Sequence, residues 1–265
     1  MDRVRPTPTR RASTWAAAAA GALAGLAALV AGAPGAQAAT AQPSAQSEYQ
    51  AAMKSVGSLG VHFSSSATQQ GISLQVDGDA GATSGAETIV VKRGGQTERM
   101  HAMVVGSTNY LNGNKAALHQ VLGMSEAQSS KYAGTWLSFP TSVTGLSGLV
   151  GGLLNSQVQS ELQFNGPYRY GRSATVAGRP ALAVKGSVRG QDGGSVPVVL
   201  YVPASGTPYP LEEVTNPGNE GGADAVHGTV TFSEWGEQTS EQKPTQSVSL
   251  LKLLPSSSGL GTSGG

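Results

Sequence analysis

The sequence of 265 residues contains no cysteine. That excludes disulfides, a thiolate nucleophile, a Cys-ligated zinc site and a Cys-linked lipid anchor. Charged residues make up only 12% of the chain and aromatics 5%. With 17 basic and 16 acidic residues, the net charge of +1 is not that of a nucleic-acid binder. It is equally unlike a chain kept unfolded by self-repulsion. The four histidines, His62, His101, His119 and His227, show no H-x-H, H-x-x-x-H or H-E-x-x-H spacing. No metal site and no cofactor are expected. Glycine is abundant instead, at 37 residues, and hydrophobic residues make up 38%. This is enough for a core, and it points to tight turns between short elements.

The N-terminus has the layout of an export signal. Arg3, Arg5, Arg10 and Arg11 precede the uncharged run 15–30, and Ala36-Gln37-Ala38 forms a small-x-small motif before Ala39. Basic, apolar, then A-x-A is the pattern of a secretory signal peptide. The run is shorter than the roughly 20 apolar residues a spanning helix needs. Residues 1–38 are therefore expected to be removed, with Ala36, Ala38 and Ala39 marking the cleavage site. That segment holds four of the basic residues and one of the acidic ones, so the remainder carries 13 against 15, a net of −2.

Residues 39–47 read as a flexible leader and residues 48–254 as a single domain. Helical spacing of Tyr49, Ala52, Met53, Val56 and Leu59 predicts a first helix, beginning at Glu48. The period then falls to two. Ile72, Leu74 and Val76 alternate with polar residues, and Gly78-Asp79-Ala80-Gly81 is expected to end that strand. Further strands are predicted over 87–93 and 96–105 around Gly94-Gly95, and over 108–111. Asn114 and Ser125 are the caps of two short helices. Trp136 to Phe139 is a short aromatic strand before Pro140. Strands are again expected at 168–176, 179–188, 196–202, 211–216 and 226–235, with Pro197 marking an edge or a bulge. Residues 244–254 are apolar enough to dock on the sheet, and 255–265 read as a disordered tail.

Between the two groups of strands, Val143, Leu146, Leu149, Val150, Leu153, Leu154, Val158 and Leu162 form a helical stripe. Gly145, Gly148, Gly151 and Gly152 interrupt it, each costing roughly 1 kcal/mol relative to Ala. Such a segment either fills a core or lids a cavity. Catalytic signatures are absent from the ordered part of the chain. The literal G-x-S-x-G at Gly261–Gly265 has no strand before it and no helix after it. Glu212-Glu213, Glu234 and Glu237 read as carboxylates of turns or strand ends, with no acid–base spacing. Asp77 and Asp79 read as a solvated turn.

The order of short motifs resembles the LolA-like, LppX/LprG-type exported lipid-binding proteins of high-GC Gram-positive bacteria. The residues that carry it run from Met53-Lys54-Ser55-Val56 and Val61-His62-Phe63 through Ile72 to Gly81 and Val105-Gly106-Ser107-Thr108-Asn109-Tyr110-Leu111. Lys131-Tyr132-Ala133-Gly134-Thr135-Trp136-Leu137 and Phe232-Ser233-Glu234-Trp235-Gly236 complete the set. The resemblance implies an α+β fold, a curved antiparallel half-barrel sheet with helices over its concave face. It implies a hydrophobic cavity that takes up a lipid or acylated molecule. Trp136, Phe139, Val143, Leu146, Val150, Leu153 and Leu154 are the candidate wall or lid. Family members usually carry a lipobox Cys, which this chain lacks, so a secreted or cell-wall-space form is expected. Two other readings stay open: an envelope interaction module that binds a protein partner and has no lipid cavity, and a hydrolase using Ser or carboxylates, for which the sequence gives no pair to mutate.

Overall fold

The computed structural model describes residues 43–57, 59–143, 152–190, 193–216 and 227–253. The export segment with Ala36, Ala38 and Ala39, the start of the leader, Leu146, Val150 and the tail 255–265 lie outside them.

Helix α1 spans Ala45–Val56. It starts three residues earlier than its apolar spacing predicts, so Ala45 to Ser47 are helix and not leader. The cause is a cap: the Ser44 hydroxyl accepts the Ser47 N–H at 3.1 Å, which satisfies one of the free N–H groups of the first turn. One face of α1 is buried, through Ala45, Tyr49, Ala52 and Val56.

Five strands follow: β1 (Gly60–Gln69), β2 (Ile72–Ala80), β3 (Ser84–Arg93), β4 (Gln96–Val105) and β5 (Thr108–Gly113). The Gly94-Gly95 hairpin forms as the sequence predicts, with φ of 52° and 79°. Helices α2 (Lys115–Gln120) and α3 (Glu126–Tyr132) come next, then β6 (Leu137–Pro140). Asn114 caps α2. Ser125 and Gln128 close a reciprocal capping box on α3. After helix α4 (Asn155–Glu161) the chain returns to strands β7 (Asn165–Tyr170), β8 (Ala174–Val176), β9 (Arg179–Arg189), β10 (Ser195–Pro203), β11 (Glu212–Thr215) and β12 (His227–Glu237). Strand β13 (Val248–Ser249) docks the C-terminal segment beside β6, and Leu250 after it is fully buried.

These strands form one curved, unclosed sheet in the order β13-β6-β5-β4-β3-β2-β1-β12-β11-β10-β9-β7, with β8 beside β9. Every pairing is antiparallel except β13 with β6. The α+β half-barrel is therefore the observed architecture. Three local expectations are corrected. Strand β2 runs through Gly78 and Asp79 to Ala80, so that segment is ladder and not a turn. The long stripe is not one continuous helix: among its described residues Asn155–Glu161 is helical, whereas Val143 and Gly152 to Leu154 are not. Pro197 lies on an interior strand, paired with Ser187 of β9. Its missing N–H is tolerated because the β11 ladder begins one residue later, at Val198.

Register shows which residues share a face. One row across the sheet reads Leu137, Leu111, Ala102, Glu87, Gly78, Phe63, Phe232. A parallel row reads Val76, Ser65, Val230, Glu213, Leu200, Val184, Tyr170. Two apolar cores sit on this inner face. In the first, α1 and α4 cover β1, β9, β10 and β12. In the second, Ala117 and Leu118 of α2, with Met124, cover Met100, Ala102, Leu111, Leu137 and Phe139. They meet where the chain before α4 crosses the sheet. There Leu154 bridges to Gly81, and the Leu153 carbonyl rests against the backbone of Gly85.

Candidate functional site

A pocket lies between α4 and the inner face of the sheet. Phe63 of β1, Val230 and Phe232 of β12 and Glu213 of β11 form its floor. Gly152, Val158, Glu161 and Leu162 close it from above. It is narrow and partly open to solvent, with room for about one water molecule, about 20 Å³. None of these eight residues is basic.

The position of α4 is set by its ends. At its start, the Leu154 N–H donates to Gln157 Oε1 at 2.9 Å and the Asn155 N–H to the Gly81 carbonyl at 3.0 Å. At its far end, the Tyr49 phenol of α1 donates to the Leu162 carbonyl at 3.3 Å and accepts the Phe164 N–H at 3.0 Å. The Tyr49 ring also stacks on Tyr168, with centroids 4.8 Å apart. Burial pushes the Tyr49 pKa up to about 12, so the phenol keeps its proton and remains a donor.

The inner face carries carboxyl groups where apolar side chains would be ordinary. Glu87 is 4% exposed and Glu213 6%. Glu161 reaches them from the last turn of α4. Burial pushes both Glu161 and Glu213 up to about 8. Glu87 is raised well above its usual range, again first by burial and then by the charge of Glu161. Near neutral pH Glu161 and Glu213 are held mainly as uncharged carboxylic acids. Glu87 fits because its neighbour in the row is Gly78: a Cβ there would come within 2.8 Å of Glu87 Cβ. Among the described residues the Glu213 Oε2 atom has no hydrogen-bond partner, and the Ser65 hydroxyl, in the same row, has none either.

Five of the seven candidate wall residues are described. Phe139, Val143 and Leu153 are buried in the second core, and Leu154 packs against its margin. Trp136 stands edge-on to His101 at 5.5 Å. His101 pairs with Thr88 and Asn112, on the face opposite Met100 and Ala102. None of the five lines the pocket. From the same stripe, Val158 and Leu162 do. The other lining residues have a sequence signal only once the strands are known. Phe63, for example, is in phase with Val61, both on the buried face of β1.

On the outer face, His62 Nδ1 lies 2.7 Å from Asp79 Oδ1 and Nε2 3.7 Å from Asp77 Oδ2. Partial burial works against the charged ring, but the Asp79 hydrogen bond and nearby carboxylates outweigh it and raise the His62 pKa. Among the described residues no group of three or more His, Asp or Glu is arranged to hold a metal ion. Among them, too, no helix is long and apolar enough to cross a membrane.

No family model matches the sequence, and no curated protein sequence does. Solved structures do match. LprF from Mycobacterium bovis aligns with a TM-score of 0.51 at 16% identity, covering 76% of this chain and 96% of that one. The lipoprotein LppX of Mycobacterium tuberculosis aligns at 0.45 and 13% identity, over 74% and 97%. A LolA superfamily protein from Nitrosomonas europaea aligns at 0.26 and 12% identity, over 75% and 96%. The likeness to LprF spans nearly the whole of that chain. The fold of this chain is like that of LprF.

Proposed function

We propose that this protein is an exported, non-catalytic carrier that holds a lipid or acylated molecule between α4 and the inner face of its half-barrel. The observation that carries this reading is the pocket of Phe63, Val158, Leu162, Val230 and Phe232, an aliphatic and aromatic lining on the covered face of the sheet. Such a lining suits acyl chains, with the few polar groups fixing orientation. The short, locally anchored α4 is the element that would move to admit a chain, and weakly held segments supply such motions. The signal-like N-terminus accords with work in the envelope, without a Cys-linked anchor. Val143, Leu153 and Leu154 would extend the acyl path toward the second core, with Phe139 at its far end, whereas Trp136 stands on the opposite face.

Native mass spectrometry of the protein purified from an exporting host, followed by organic extraction, tests this reading. The expected result is a bound mass that extracts as an acylated molecule. A clean unliganded mass, with no uptake of fluorescent acyl probes, would overturn it and favour a module that binds protein partners.

A further inference from the structure

The pocket is apolar but its floor is not uniformly so. Glu213 is 94% buried by its 6% exposure, lines the pocket, and leaves Oε2 without a partner. Ser65, also 6% exposed, leaves its hydroxyl unpartnered in the same row, with Val230 of β12 between them. Two strand steps separate these positions, roughly 10 Å. Glu161 faces Glu213 from α4, close enough for its charge to act on both Glu213 and Glu87. Buried polar atoms are nearly always paired, so the unpaired Glu213 Oε2, on a residue that lines the pocket, is explained by a ligand that pairs it, with Ser65 two positions along the row outside the lining.

We propose that Glu213, Glu161 and Ser65 form a polar subsite in the groove, which takes the uncharged hydroxyl, ester or amide region of an acylated ligand and rejects a charged terminus. The inference rests on the carrier reading and names the chemistry of its ligand. A carboxylate or phosphate meets no basic side chain among the pocket residues and faces the two carboxyl groups of Glu161 and Glu213 instead. A cationic terminus would have to surrender its hydration while ionising carboxyls held in an apolar site, which is the costly arrangement for a buried ion pair. A neutral polar group has neither difficulty. It accepts from a protonated carboxyl and from the Ser65 hydroxyl, and a ligand hydroxyl can also donate to Glu213 Oε2.

The test uses three probes of one acyl length at neutral pH: a monoacylglycerol, a fatty-acid carboxylate and an alkyltrimethylammonium. The monoacylglycerol should bind about tenfold more tightly than either charged probe, the value of one or two net hydrogen bonds. Glu213→Gln, which keeps a donor and cannot ionise, should preserve that ranking. Glu213→Leu should erase the preference while still taking up an acyl chain. Equal or tighter binding of a charged probe by the wild type overturns the subsite, as does an unchanged preference in Glu213→Leu. Should the Leu variant not fold, the wild-type ranking and the Gln variant decide. Binding of none of the probes overturns the carrier reading, and the subsite with it.

Discussion

The phenol oxygen of Tyr49 accepts the Phe164 N–H at 3.0 Å, and the two rings sit with centroids 4.5 Å apart. This one side chain joins α1 to the turn in which α4 ends and β7 begins. Through the Leu162 carbonyl it also fixes the last turn of α4, which carries Glu161. Tyr49→Phe keeps the ring and removes the oxygen. It leaves a buried N–H and a buried C=O unpaired, a loss of about 1–3 kcal/mol. Urea denaturation should show a lower midpoint with an unchanged slope. An unchanged midpoint would mean that the ring contacts alone hold the junction.

Gly85 faces the carbonyl of Leu153, and an added Cβ would overlap that backbone group. Neither partner can yield easily. Gly85 is fixed in the ladder between Ala80 and Val104, and Leu153 is buried in the second core. Gly85→Ala should therefore cost about 1–3 kcal/mol, as overpacking of a filled interior does. It should also displace the segment that leads into α4. Thermal unfolding measures the first effect, and faster hydrogen exchange at Asn155 measures the second. A variant as stable as the wild type would show that the crossing chain is free to lift off the sheet.

Sequence and structure agree where a local rule governs. Gly94-Gly95, Asn114 and Ser125 act through their own backbone or the next turn, so their roles are readable from a few residues. Agreement fails where a distant neighbour decides. Gly78 has the look of a strand breaker, yet it is a ladder residue because Glu87 needs the space beside it. Strand β1 contains Ser64-Ser65-Ser66 and shows little apolar alternation, yet it lies near the middle of the sheet order. Neighbours on both sides hold it there, not its own composition. The pocket was only half legible. Val158 and Leu162 belong to the visible stripe, whereas Glu213 reads as a turn carboxylate until β11 is placed between β10 and β12.

If an acyl chain occupies the groove, affinity follows apolar area and not charge. Each further methylene buried should add about 0.8 kcal/mol, roughly a fourfold gain. The gain should stop where the groove ends. Titrating monoacylglycerols of increasing length at fixed salt measures it, and repeating the series at high salt should leave the constants nearly unchanged. Affinity independent of length, or falling with salt, would point to recognition of a head group at the surface.

The buried carboxyls tie stability to pH. Glu161 and Glu213 are raised from 4.5 to about 8 by burial, and Glu213 further by the charge of Glu161. In the unfolded chain they ionise near the ordinary value, so above it the folded state binds more protons than the unfolded state. Stability must then fall as pH rises. Their contribution is complete below about pH 4.5, declines through the interval, and is lost once pH passes about 8. The slope approaches about 1.4 kcal/mol per pH unit for each fully buried group. Glu161 is only partly enclosed and should contribute less than Glu213. Other carboxylates act in the opposite sense at the acid end. Glu126, for example, is lowered by its hydrogen bond to Lys115. The expected measurement is therefore a melting temperature that drops between mildly acidic and mildly alkaline buffer. Glu213→Gln should flatten that drop and make the protein more stable than the wild type at the alkaline end. A flat wild-type profile, or a Gln variant with an unaltered slope, would mean that Glu213 is hydrated in solution and titrates as an ordinary surface carboxylate.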